Sequence, residues 1–130
     1  MALDLPVRYA GGVAILTAPD AIMMNSACDL RGAVAGVCDA GHRFVLIDCA
    51  ALVRIDSFGL GEFVAAYTAA TRRDGALKLL NVGDRLTRLL AMAKLNDLLE
   101  SYADEHAAIA SFRNASSAKA RAALDGFLDS

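Results

Sequence analysis

Val53-Arg54-Ile55-Asp56-Ser57-Phe58-Gly59-Leu60-Gly61-Glu62 follows the apolar run Phe44-Val45-Leu46-Ile47-Asp48 and leads into Leu60 to Thr71. In that last stretch Leu60, Phe63, Val64, Tyr67 and Thr71 recur at helical spacing. A short β-forming run, a connection and a helical period predict a strand that feeds a helix, with Ser57 where the helix begins. The first turn of a helix has unpaired N–H groups and a partial positive charge, so an oxygen there either caps the helix or holds an anion. On residue chemistry alone Ser57 is a structural N-cap or a regulatory phosphoacceptor. Gly59 and Gly61 are poor helix formers. Two of them in the first turns predict backbone left uncovered for close approach by another protein.

Upstream, Val7-Arg8-Tyr9 and Val13-Ala14-Ile15-Leu16 flank Gly11-Gly12, which reads as a β-hairpin turn. A loop through Thr17-Ala18-Pro19-Asp20 precedes Ala27, Leu30, Ala33, Val34, Val37 and Cys38 at helical spacing, with Asn25 or Ser26 as the N-cap and Gly41 as the stop. Arg43 to Cys49 is rich in β-formers and predicts a strand in the interior of a sheet. Downstream, Asp74-Gly75 ends the second helix, Ala76 to Leu80 returns as a strand, and Asp84 caps a helix with Leu86, Leu89, Leu90 and Ala93 on one face. Leu98 to Tyr102 is the last expected strand and Asp104 to Phe112 the last expected helix. The order β-β-α-β-α-β-α-β-α predicts an α/β fold, a mixed sheet of roughly four to five strands packed with roughly four helices in a single domain over residues 1–112. Residues 113–130 are rich in Ala, Ser and charge, yet Ala120, Ala123, Leu124, Phe127 and Leu128 have helical spacing. They read either as a fraying tail or as a helix that docks on the domain or pairs with a second copy to form a homodimer.

With 130 residues, 56% of them hydrophobic and 6% aromatic, the chain suits one aliphatic core. A net charge of −2 without a basic stripe argues against nucleic acid, and apolar runs well short of the roughly 20 residues of a membrane span argue against a membrane role. Met1 to Pro6 has neither a basic nor an apolar signal region, so the expected location is the cytoplasm. Cys28, Cys38 and Cys49 are odd in number and lack CxxC spacing, which predicts buried reduced thiols and no zinc site. His42 and His106 are isolated surface or loop histidines with no metal-ligand spacing.

Ser57 at a strand-to-helix turn invites a hydrolase test, and the nucleophile elbow G-x-S-x-G fails because Ile55 stands where its first glycine belongs. Nothing matches GxxxxGK[ST], and Gly59-Leu60-Gly61 lacks the later glycine of a dinucleotide fingerprint. No enzyme, catalytic residue, metal or cofactor is therefore expected.

Ile55-Asp56-Ser57-Phe58-Gly59-Leu60-Gly61 resembles the D-S-[ST]-G-L-G signature of STAS domains, the family of sulfate transporters and bacterial anti-sigma factor antagonists. The likeness extends to Phe44-Val45-Leu46-Ile47-Asp48 before it, to Asp74-Gly75-Ala76-Leu77-Lys78-Leu79 after it, and to Leu89-Leu90-Ala91-Met92-Ala93-Lys94-Leu95, and covers about residues 5–112. The resemblance implies that Ser57 is the phosphoacceptor and that the surface around it binds an anti-sigma factor which is also a serine kinase of histidine-kinase-like ATPase fold. Phosphorylation then ends binding and a PP2C-type phosphatase restores it. The surface expected around it comprises Asp20, Met23, Asp56, Ser57, Phe58, Gly59, Gly61 and Glu62; Met23 and its neighbour Met24 read either as adaptable interface residues or as core. Asp56 either orients the serine hydroxyl or is an acid favoured at a helix N-terminus. Phe58 departs from the pattern, which has a small hydroxyl residue there, and is either an exposed contact or part of the core. The alternatives are a STAS scaffold that is never phosphorylated, and a small anion- or nucleotide-binding domain using the Asp56-Ser57 turn.

Overall fold

In the computed structural model, which describes residues 5–25 and 28–113, the short apolar runs line up as a sheet. Strands β1 (Val7–Ala10) and β2 (Val13–Thr17) form a hairpin whose Gly11 and Gly12 have φ of 58° and 81°, as a two-residue turn with both residues left-handed requires. Next come β3 (Ala21–Ile22), α1 (Leu30–Asp39), β4 (Phe44–Asp48), β5 (Arg54–Ile55), α2 (Ser57–Thr71), β6 (Ala76–Leu80), α3 (Asp84–Met92) and β7 (Ser101–Tyr102). A further helix, α4, occupies residues 105–113. The main sheet has five strands in the order β1-β2-β4-β6-β7, parallel apart from β1, while β3 and β5 form a separate two-stranded parallel ladder.

Because side chains alternate along a strand, the register separates two faces. Leu16 lies opposite Ile47 and Ile47 opposite Leu79, and this row packs with Leu30 and Val34 of α1, Phe63, Ala66 and Ala70 of α2, and Leu86 and Leu90 of α3. Val13, Ile15, Leu46 and Leu80 face the other way, onto Ala108 and Phe112 of α4. Lys78 shares that second face and is only 7% exposed. Its ammonium donates to Ser111 Oγ at 3.0 Å, lies 3.2 Å from Glu100 Oε2, and sits 5.1 Å from the centre of the Phe112 ring. Glu100 is half in solvent, so losing its partner strands no buried charge. Lys78→Met is therefore expected to change stability by less than about 1 kcal/mol, measured by urea unfolding.

Several local expectations are corrected. Helix α1 starts at Leu30 and is capped by Asp29, whose Oδ1 accepts the Gly32 N–H at 2.9 Å, in place of Asn25 or Ser26. Gly83 is the N-cap residue of α3, with Asp84 the first helical residue; its carboxylate makes no cap bond and suits the helix dipole. The expected last strand shrinks to two residues, and α4 is capped by Asp104, which accepts from Ala107 N at 2.9 Å. The buried face of α2 is Gly59, Phe63, Ala66, Ala69 and Ala70, with Leu60 and Tyr67 partly buried and Thr71 exposed. This helix is apolar all round, so the choice of face falls to the small residues that allow α1 and the sheet to come close.

Cys49 is buried, which pushes its thiol up to about 12, whereas Cys28 and Cys38 are half-buried, against the expectation of three buried thiols; all three are free. His42 stacks on Tyr9 with ring centres 4.6 Å apart. Among the described residues no helix is long and apolar enough to cross a membrane. The tail-or-helix expectation for residues 113–130 lies outside the described residues except for Arg113, the last helical residue described.

Candidate functional site

The ladder of β3 and β5 builds the platform on which Ser57 stands. Ala21 pairs with Arg54 and Ile22 with Ile55, and the Asp20 carbonyl accepts the N–H groups of Val53 and Arg54 at 2.9 and 3.0 Å. The exposed Asp20 carboxylate is 3.8 Å from the likewise exposed Arg54 guanidinium on β5. On the other side, Arg85 in the first turn of α3 donates from Nε to the Ile55 carbonyl at 2.8 Å. Residues 20–22 and the start of α3 thus converge on residues 53–55 before the chain turns into α2.

Asp56 makes that turn. Its backbone is extended (φ −114°, ψ −173°), its carbonyl accepts from Leu60 N, and its Oδ1 accepts the Gly59 N–H at 2.9 Å, so Asp56 is the N-cap of α2. The second oxygen accepts the Met24 N–H at 3.2 Å and ties the loop after β3 to the helix start. With both oxygens on backbone donors, Asp56 acts as the helix-terminal acid. The Gly59 bond first, then Met24 and other backbone N–H groups, hold its carboxyl below the ordinary 3.8. A group with a lowered folded pKa stabilises fully above its unfolded value and loses that contribution as pH falls through the folded one. Asp56→Ala is therefore expected to lower the melting temperature by a constant amount above about pH 5 and by a shrinking amount below about pH 4. A gap that stays constant down to pH 2 would count against the carboxylate as its source.

Ser57 is the first helical residue and is exposed; the cap role open to it belongs to Asp56, and its hydroxyl has no intramolecular partner among the described residues. Phe58 is 48% exposed, so it is a surface residue and not core. Met24 and Val53 are also exposed, at 78% and 67%, while Met23 and Glu62 are half-buried. The two glycines divide. Gly61 is exposed, and a Cβ there would meet nothing within 4 Å, in keeping with an uncovered surface. Gly59 is buried, and a Cβ would lie 2.0 Å from the Ile22 carbonyl oxygen, so it permits α2 to rest on β3 and presents nothing to a partner.

The structure therefore brings Asp20, Met23, Asp56, Ser57 and Phe58 onto joined segments and turns Gly59 inward. Val53 and Arg85 were not anticipated. Val53 lies in a connection without periodicity, and Arg85 is remote in sequence, so neither carries a local signal. Together with Ile55 and Asp84 they line a cleft of about 200 Å³ between β5 and α3. Chemically the arrangement offers one accessible hydroxyl at a helix N-terminus, a place where an added anion is favoured by the helix dipole and opposed by the neighbouring Asp56 carboxylate.

A family model described as STAS domain matches residues 4–108. An anti-sigma-B factor antagonist of Bacillus subtilis is 30% identical over 99 residues, which cover 75% of this chain and 80% of the relative. The crystal structure of an anti-sigma factor antagonist from Mycobacterium paratuberculosis superposes with a TM-score of 0.72 at 22% identity, covering 84% of this chain and 92% of that one. The structure of the Bacillus cell fate determinant SpoIIAA in its phosphorylated form gives 0.60 at 13% identity, over 79% and 95% of the two chains. At these identities the two structures speak to fold alone.

Proposed function

The chain belongs to the STAS domain family, and from that premise we propose that it is a non-enzymatic anti-sigma factor antagonist whose binding is switched by phosphorylation of Ser57. The partner in this proposal is an anti-sigma factor that is also a serine kinase of histidine-kinase-like ATPase fold, with a PP2C-type phosphatase as the resetting enzyme. The observation that carries the proposal is the exposed Ser57 hydroxyl at the first residue of α2, relieved of capping by Asp56. A hydroxyl without a structural task is free to be modified without unfolding the helix it begins.

Phosphorylation would add about −1.5 to −2 charge at neutral pH. Asp56 immediately before it and Glu62 in the second turn are already acidic, so the modified surface repels an acidic partner and places an unpaired charge against an apolar one. The helix N-terminus tolerates the phosphate. The switch is thus electrostatic, at the interface, with little change of fold.

The test is intact mass of the protein before and after incubation with ATP and its partner kinase, with fragment mapping and a Ser57→Ala control. One phosphate on Ser57, absent from the control, is expected. Phosphate elsewhere, or none with a kinase proven active, would sink the proposal. The exposure of Phe58 favours a second reading in that event, a scaffold in which Phe58 belongs to a constitutive interface and Ser57 is never modified.

A further inference from the structure

Helices α1 and α2 lie side by side and leave between them a groove of about 360 Å³. Gly32 and Ala35 of α1 and Ala65, Thr68 and Ala69 of α2 form its floor, and Arg31, Arg72 and Arg73 its rim; the Asp29 carboxylate lies against Gly32 at the Arg31 end. Arg73 is held in place, donating from Nε to Asp39 at 2.9 Å and from Nη1 to the Ala69 carbonyl at 3.0 Å. Arg31 and Arg72 are exposed and have no carboxylate partner among the described residues, in a chain whose net charge is −2. Arg31 stands in the first turn of α1 and Arg72 caps the far end of α2. The stretch of α2 along the groove, Ala65 to Arg72, is about 10 Å long at 1.5 Å per residue. Ser57 is at the opposite end of α2, about 20 Å from Arg72 by the same measure.

We infer that this groove docks an acidic helical segment of another protein. Two carboxylates seven residues apart on such a helix are about 10 Å apart and reach Arg31 and Arg72 together. Guanidinium groups favour this pairing because they bind carboxylates through two parallel N–H donors. The alanines of the floor let the incoming helix approach closely, and because Arg73 is already paired with Asp39 it is Arg31 and Arg72 that meet the partner's carboxylates. The docking surface is separate from the Ser57 surface and does not rest on phosphorylation.

The test uses a fluorescein-labelled, alanine-rich helical peptide with two glutamates seven residues apart, titrated with the full chain and followed by fluorescence anisotropy. Saturable binding is expected, weakened roughly fivefold by Arg31→Ala with Arg72→Ala, weakened by raising salt from about 50 to 300 mM, and unchanged by Ser57→Asp. Amide NMR shifts should move at Gly32, Ala35, Ala65 and Ala69. Binding that survives the double substitution, equal binding of the peptide with lysine for glutamate, shifts confined to the Ser57 end, or no saturable binding would each overturn the inference. Neither arginine side chain has a partner among the described residues, so the double variant is expected to melt with the parent; if it does not, Arg31→Gln with Arg72→Gln replaces it in the same comparison.

Discussion

Ser57→Asp is expected to weaken binding to the proposed kinase partner at least about a hundredfold, while Ser57→Ala retains it. The asymmetry follows from where the side chain stands. Alanine at the first residue of α2 removes a hydroxyl that caps nothing, because Asp56 accepts from Gly59 N and Met24 N. Aspartate puts a full negative charge on the same exposed spot, next in the chain to the Asp56 carboxylate and to the exposed Phe58. Leaving a charge unpaired in a closed interface costs about 3 kcal/mol or more, which corresponds to that hundredfold loss. Calorimetric titration of the purified partner checks it. Retained affinity for both variants would point to the constitutive scaffold, and loss with Ser57→Ala would mean that the hydroxyl itself is a contact.

The second large effect concerns stability. Gly59→Ala places a methyl group 2.0 Å from the Ile22 carbonyl oxygen and 2.7 Å from Ile55 Cγ1. Backbone cannot swing aside as a flexible side-chain end can, so α2 must lift from the β3–β5 ladder. A loss of about 3 kcal/mol, or a fall of roughly 10 °C in melting temperature, is expected. Gly61→Ala serves as the control, since its methyl enters open space and alanine is the better helix former by about 1 kcal/mol; a small rise in melting temperature is expected. The opposite signs separate packing from propensity two residues apart on one helix. A Gly59→Ala protein that melts with the parent would refute the close approach.

Much of this was legible locally because the period of the apolar pattern is itself structural information. Phe44 to Asp48 and Ala76 to Leu80 read as interior strands, and Gly11-Gly12 reads as a hairpin because few residues other than glycine accept its two left-handed positions. The motif at residues 55–61 marked the strand-to-helix turn on which the candidate site stands. The roles inside it were harder to assign. Asp and Ser are both good N-caps, and which of two neighbours serves depends on where the backbone leaves the extended region. Likewise Gly59 and Gly61 are chemically the same residue with opposite environments, one against a carbonyl and one against solvent.

By itself, then, the sequence determined the alternation of strands and helices, the family resemblance and the placing of Ser57 at the start of α2, since each rests on spacing along the chain. Only the tertiary structure decided that Asp56 is the cap, that Gly59 faces β3, that two-residue strands at 21–22 and 54–55 pair to hold the site, and that α4 alone among the described helices supplies the core on the second face of the sheet. The reason is physical. A pair of residues has no measurable period, and a cap, a close approach or a covered face is a relation to atoms distant in sequence, which exists only once the chain has folded.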